Sequence, residues 1–179
     1  MGQISAADEE RVPMEKGIIQ IYTGDGRGKT PAAIGNAVQA AAEGEKVVII
    51  QFLKGKGLKE SDFLKKLEPE IKLFRFEKSD ENFEMLSEER KADEILNIRN
   101  GMNFAKKVLC TGEADLLVLD EVLGLVEKEI ITVEDLEGVL QCRSEGTSVI
   151  LTGCVLSDEV CVLADKVSKI ETVKFRAWD

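Results

Sequence analysis

Apolar positions along this chain come in two patterns. Short, near-continuous runs lie within residues 17–23 (Ile18, Ile19, Ile21, Tyr22), 46–52 (Val47 to Ile50) and 115–120 (Leu116 to Leu119). Runs of this length and density are expected of strands buried on both faces of a parallel sheet. Residues 71–76, 147–152 and 166–170 predict three more strands, the last continuing to Phe175. Between them, apolar residues recur every three or four positions. The spacing predicts helices over 32–42, 61–67, 87–110, 132–143 and 157–164, the longest carrying Ile95, Ile98, Met102, Ala105 and Leu109 on one side. Gly44 is a helix-end signal, Ser87 a helix start, and Thr132 with Asp135 a capping box. Strands alternating with helices, with no repeat and no linker, predict an α/β fold: a mostly parallel central sheet with helices on both faces. Residues 1–16 read as a polar N-terminal arm, and 17–179 as a single domain.

The turn after the first strand carries the chemistry. Thr23-Gly24-Asp25-Gly26-Arg27-Gly28-Lys29-Thr30 joins a strand to an alanine-rich helix, the context that a phosphate-binding loop requires. Glycines let the backbone N–H groups turn inward, and the new helix adds the positive end of its dipole. Lys29 offers a point charge to phosphates and Thr30 a hydroxyl to Mg²⁺. Pro31 suits the first helical turn, where its missing N–H is not needed. One position departs from the general pattern: Thr23 stands where the loop ordinarily has glycine.

Composition narrows the choice of partner and of chemistry. The 179 residues hold 24 Lys+Arg against 34 Asp+Glu, a net charge of −10 that disfavours nucleic acid. Histidine is absent, which removes histidine-based nucleophile triads and the commonest zinc ligand. Four cysteines without C-x-x-C spacing read as small hydrophobes in a reducing compartment. No apolar run approaches 18 residues, so the expectation is a cytoplasmic protein with no membrane partner.

A second acidic element completes the nucleotide reading. The apolar strand 116–119 ends in Asp120-Glu121, the form of a Walker B segment, with Asp120 opposite Thr30 on a metal ion. Glu121 is open between orienting a water and supporting the metal from behind. Arg27 and Lys54 suit either an anionic ligand or solvent, and Phe83 with Met85 either an apolar lid or ordinary packing. In a parallel sheet the loop 23–30, Lys54, Asp120-Glu121 and Thr152-Gly153 all gather at the carboxyl ends of the strands, where ligands bind.

Taken together these segments resemble the P-loop ATP:corrinoid adenosyltransferases. The resemblance lies in residues 22–33, including Thr23, in Gln51-Phe52-Leu53-Lys54-Gly55, in Val118-Leu119-Asp120-Glu121-Val122, in Val149-Ile150-Leu151-Thr152-Gly153 and in Ala164-Asp165. It implies a RecA-like P-loop NTPase fold, usually a homodimer, that binds Mg·ATP and a reduced corrinoid together. In such enzymes Co(I) attacks C5′ of ATP and inorganic triphosphate leaves; a flavin- or flavodoxin-type reductase supplies the reduced corrinoid. Lys29, Asp120 and Glu121 are then catalytic, Thr30 and Asp120 hold the metal, and residues 23–30 with Lys54 and Phe83 bind the co-substrates. The sequence departs from the family at Cys154, Gln39 and Lys169, where arginine, arginine and glutamate are usual, and in residues 77–86, which replace an aromatic Gly-Phe-Thr-Trp segment. All of these fall on the corrinoid side. From the residues alone, a P-loop ATPase, a small-molecule kinase and a non-catalytic adaptor remain as alternatives.

Overall fold

The computed structural model describes residues 16–53, 64–79, 81–174 and 176. Six strands form one sheet: β1 (Ile19–Thr23), β2 (Val47–Gln51), β3 (Ile71–Arg75), β4 (Leu116–Asp120), β5 (Ser148–Thr152) and β6 (Lys166–Lys169). Their order is β3-β2-β4-β5-β1-β6, and every pairing is parallel. β5 stands between β1 and β4, the RecA-like arrangement of a P-loop fold, so the loop after β1 and the acids after β4 face each other across one intervening strand.

The period of two along each strand sorts side chains between two layers. Val47, Ile49, Leu116, Val118 and Ile150 face α1 (Lys29–Ala42), which buries Ala33, Ala37 and Ala40 against them. Alanines on that side let the helix approach the sheet closely. Val48, Ile50, Leu117, Leu119, Val149 and Leu151 face the opposite layer. That layer is built from α2 (Glu88–Thr111), α3 (Val122–Glu127), α4 (Val133–Leu140) and the four-residue α5 (Asp158–Cys161). Helices therefore cover both faces.

The helix signals act as the sequence indicated. The N–H groups of Gly44 and Glu45 donate to Ala41 O and Ala40 O at 3.1 and 3.0 Å, closing α1 as a Schellman motif. Ser87 Oγ accepts from Arg90 N at the start of α2. Thr132 and Asp135 exchange both capping-box bonds, at 3.0 and 3.1 Å.

Some elements differ from expectation. α3 has no counterpart in the sequence pattern, because Val122, Leu123, Gly124 and Leu125 are all buried and leave no polar face to give the period away. β6 ends at Lys169 instead of running on, because its partner β1 ends at Thr23, whose carbonyl accepts the last ladder bond from Ile170 N at 2.8 Å; Phe175 lies outside the described residues. Of the helix expected at 61–67, residues 61–63 lie outside the described residues, Leu64 is helical and Lys65–Leu67 follows as a 3₁₀ turn. The polar arm, apart from exposed Lys16, also lies outside them.

Candidate active site

The loop 23–30 is braced from outside. Thr23 Oγ1 and Gly24 N both donate to Cys154 O, at 3.1 and 3.2 Å. This is the work of the threonine that replaces glycine: it ties the start of the loop to the turn after β5. On the other flank Gly26 N donates to Ile170 O at 3.1 Å. The fit there is tight, since a Cβ at Gly24 would collide with the Ile170 carbonyl and one at Gly26 would come within 2.7 Å of the same oxygen. Gly24 and Gly28 also hold φ of 111° and 129°, which L side chains rarely adopt.

Lys29 is buried and folds back into its own loop. Its Nζ donates to Gly24 O at 2.6 Å and to Gly26 O at 3.1 Å. An ammonium held by two loop carbonyls can exchange them for phosphate oxygens with little displacement. Asp25 and Arg27 stand exposed on the rim of the loop. Lys54 lies outside the described residues.

Thr30 and Asp120, 90 positions apart in the chain, meet directly: Thr30 Oγ1 donates to Asp120 Oδ1 at 2.9 Å. Thr152 Oγ1 donates to the same oxygen at 2.6 Å, and Gln51 Nε2 to Asp120 Oδ2 at 3.1 Å. Asp120 and Gln51 are register partners on β4 and β2, and both are at most 2% exposed. Gln51 has one atom without a partner, its buried Oε1. An unsatisfied buried carbonyl costs about 1–3 kcal/mol. Hard oxygen donors, one of them anionic, beside the start of α1 suit a hydrated Mg²⁺ ion, so the residues fit the metal that a P-loop fold uses.

Glu121 turns the other way. Its φ of 64° is left-handed, and its N–H is held by Thr152 Oγ1 at 2.8 Å. This bend sends consecutive acids to different places: Asp120 to the loop 23–30 and Glu121 to a cavity of about 480 Å³. Leu53, Phe83 and Leu86 supply apolar wall there, while Glu77, Glu94 and Lys128 are polar. Phe83 sits in the 3₁₀ turn Phe83–Met85 and packs toward the core, whereas Met85 is 78% exposed.

The acidic stretch that forms the cavity rim is tied down by charge. Glu94 is buried on α2 and accepts Lys78 N with both carboxylate oxygens, at 3.0 and 3.2 Å. Arg90 donates to Ser79 Oγ at 3.0 Å and to Glu81 Oε1 at 2.9 Å, and Lys128 pairs with Glu84. That hydrogen bond, then the Lys128 charge, holds the Glu84 carboxyl below its ordinary value of 4.5.

The model of the ATP:corrinoid adenosyltransferase BtuR/CobO/CobP family matches residues 15–178. The chain belongs to that family. A corrinoid adenosyltransferase of Escherichia coli K12 is 33% identical over 160 residues, covering 89% of this chain and 79% of the relative. The corrinoid adenosyltransferase CobA of Salmonella typhimurium is 32% identical over 172 residues, covering 96% and 83%. Among solved structures, a KaiC-like protein from Pyrococcus horikoshii OT3 superposes with a TM-score of 0.56 at 20% identity, covering 89% of this chain and 75% of its own. That likeness concerns the fold alone.

The departures from the adenosyltransferase pattern have distinct settings. Cys154 contributes its backbone carbonyl to the loop brace while the residue itself is exposed. Gln39 is exposed on α1 and donates to Glu43 Oε1 at 3.4 Å. Lys169 is paired with Glu171, whose hydrogen bond and charge raise the lysine's pKa. Sequence reasoning missed Glu94, although an acid four residues before Ile98 on the apolar side of a helix is a visible anomaly. It also gave no separate role to Gln51 or to the Thr152 hydroxyl, both of which hold Asp120.

Proposed function

We propose that this protein transfers the 5′-deoxyadenosyl group of ATP to the Co(I) centre of a reduced corrinoid and releases inorganic triphosphate. The observation that carries the reading is the division at the end of β4. Asp120 is joined to the phosphate loop through Thr30, while its neighbour Glu121 borders a separate cavity whose polar lining is interrupted by Leu53, Phe83 and Leu86. Two co-substrates can thus meet across one backbone step.

ATP lies on the loop 23–30. Lys29 trades its two carbonyl partners for triphosphate oxygens, and the N–H groups that open α1 add to the positive field. Thr30 and Asp120 hold Mg²⁺, which when bound neutralises charge on the triphosphate. Thr152 and Gln51 keep the Asp120 carboxylate in place. The corrinoid enters the cavity bordered by Leu53, Phe83 and Glu121, where apolar wall keeps water from the cobalt. In the transfer the Co(I) electron pair forms the bond to C5′, the C5′–O bond breaks, and its electrons leave on triphosphate as cobalt becomes Co(III). Lys29 and the loop N–H groups stabilise that developing charge, and one well-placed donor of this kind contributes about 3–4 kcal/mol. The nucleophile is the metal of the substrate, so the chemistry needs no general base and accords with a chain free of histidine.

The same reading includes a flavin- or flavodoxin-type reductase that delivers Co(I), a homodimeric assembly and a cytoplasmic setting. Among the described residues no helix is long and apolar enough to cross a membrane.

The test is anaerobic. Protein, Mg·ATP and chemically reduced cobalamin should lose the Co(I) absorption, gain a light-sensitive alkylcobalamin spectrum and yield triphosphate in matching amount. Release of orthophosphate with no change in the cobalt spectrum would instead indicate attack on the γ-phosphate, as in an ATPase or kinase.

A further inference from the structure

Gln51 stands out among the buried polar residues. It is 2% exposed, at the carboxyl end of β2, on the α1 side of the sheet beside Asp120. Its amide orientation is fixed by its neighbour, since an ionised carboxylate only accepts, so Nε2 faces Asp120 Oδ2 and Oε1 is directed elsewhere. Oε1 has no hydrogen-bond partner despite its burial. Such an atom is ordinarily satisfied by an ordered water, an ion or a ligand.

We infer that Gln51 is a positioning residue for the metal: its Oε1 accepts a hydrogen bond from a water of the hydrated Mg²⁺ held at Thr30 and Asp120, while its Nε2 fixes the Asp120 carboxylate. The inference rests on reading Thr30 and Asp120 as the metal corner. Three features of the site converge on it. Mg²⁺ gives up its waters reluctantly, so a site with few protein ligands must hold waters as well as the ion. Thr30 is a neutral ligand, Asp120 carries the charge, and both belong to a network that includes Gln51. A neutral amide completes that network without placing a second carboxylate against Asp120. The rival is a buried structural water that satisfies Oε1 whether or not metal is present.

Binding measurements without corrinoid separate these. Mn²⁺ is titrated by electron paramagnetic resonance into protein saturated with ATP, for wild type, Thr30→Ala, Gln51→Met and Gln51→Asn. Melting temperatures are recorded for each protein alone, with ATP and chelator, and with Mg·ATP. Loss of such an outer partner typically weakens metal binding about 10- to 100-fold. Gln51→Met should therefore bind Mn²⁺ at least about tenfold more weakly and lose the Mg²⁺-dependent part of the ATP-induced stabilisation, with the part seen in chelator retained. Should that variant fail to fold, Gln51→Asn, which draws the amide back by one methylene, provides the same readout. Unchanged Mn²⁺ affinity, with melting temperatures displaced equally under all three conditions, overturns the inference in favour of the structural water. Tight Mn²⁺ binding in Thr30→Ala overturns the metal corner itself, and the role of Gln51 with it. Weak binding in Thr30→Ala alongside wild-type binding in both Gln51 variants removes only Gln51. None of these readouts depends on adenosyl transfer.

Discussion

Lys29 is satisfied within its own loop. Its Nζ is held by Gly24 O and Gly26 O, so a buried ammonium is never left without acceptors. Lys29→Ala removes both those bonds and the charge offered to phosphate. Binding of ATP should weaken, or transfer slow, by at least about tenfold, the loss expected of one charge-assisted contact of ~1.5–3 kcal/mol; calorimetry of ATP binding and single-turnover transfer are the measurements. Unchanged values in both would remove the lysine from the mechanism. At this scale the phosphate loop, Thr30 and Asp120 were legible in the sequence because a short motif states both residue type and spacing. Gln51 and Glu94 were not, because their roles come from neighbours 69 and 16 positions away, which no local pattern records.

Among the elements, the described residues between Glu77 and Leu86 are held by polar and ionic ties as well as by the packing of Phe83. The Lys128–Glu84 pair links them to the end of α3. Because Glu84's pKa is lowered on folding, its contribution is complete above the ordinary value of 4.5 and is lost as pH falls through the depressed one. The N–H groups of Met85 and Leu86, bonded within the turn, should therefore be better protected at neutral pH than after acidification below that range, as read by hydrogen exchange corrected for intrinsic rates. In Lys128→Met the protection at neutral pH should be lower and no longer follow pH in this window. Equal protection in the two proteins would show that the pair does not hold the turn. The sequence marked this stretch as polar and acidic but not as ordered, since its basic partners, Arg90 and Lys128, sit on other elements. Strands and capped helices were legible for the opposite reason: caps and periodicity are local, whereas α3 is buried and has no polar face to mark it.

Across the molecule, the sheet order places the phosphate loop between elements distant in sequence. β1 pairs only with β5 and β6, and the loop that follows it is braced by Cys154 O and Ile170 O. The backbone N–H of Ile19 reaches the side chain of Asp165, 146 positions onward. The sequence could indicate a parallel sheet but not this pairing, because strand order depends on which crossovers pack, not on the strands themselves.

The same pairing has a consequence for biosynthesis. β1 is expected to find its place late, since both its sheet neighbours, β5 and β6, follow far later in the chain. Until then the glycine-rich segment has neither flank to shape it, and cellular ATP, which stabilises only what it binds, offers no help to the growing chain. Nascent chains released after Thr152 should not be retained on immobilised ATP, whereas chains that extend past Ile170 should be; retention of the shorter species would mean that the loop keeps its form without its braces. The nucleotide site should thus form only after β6 has been made, which leaves the apolar β1 without its sheet neighbours until then.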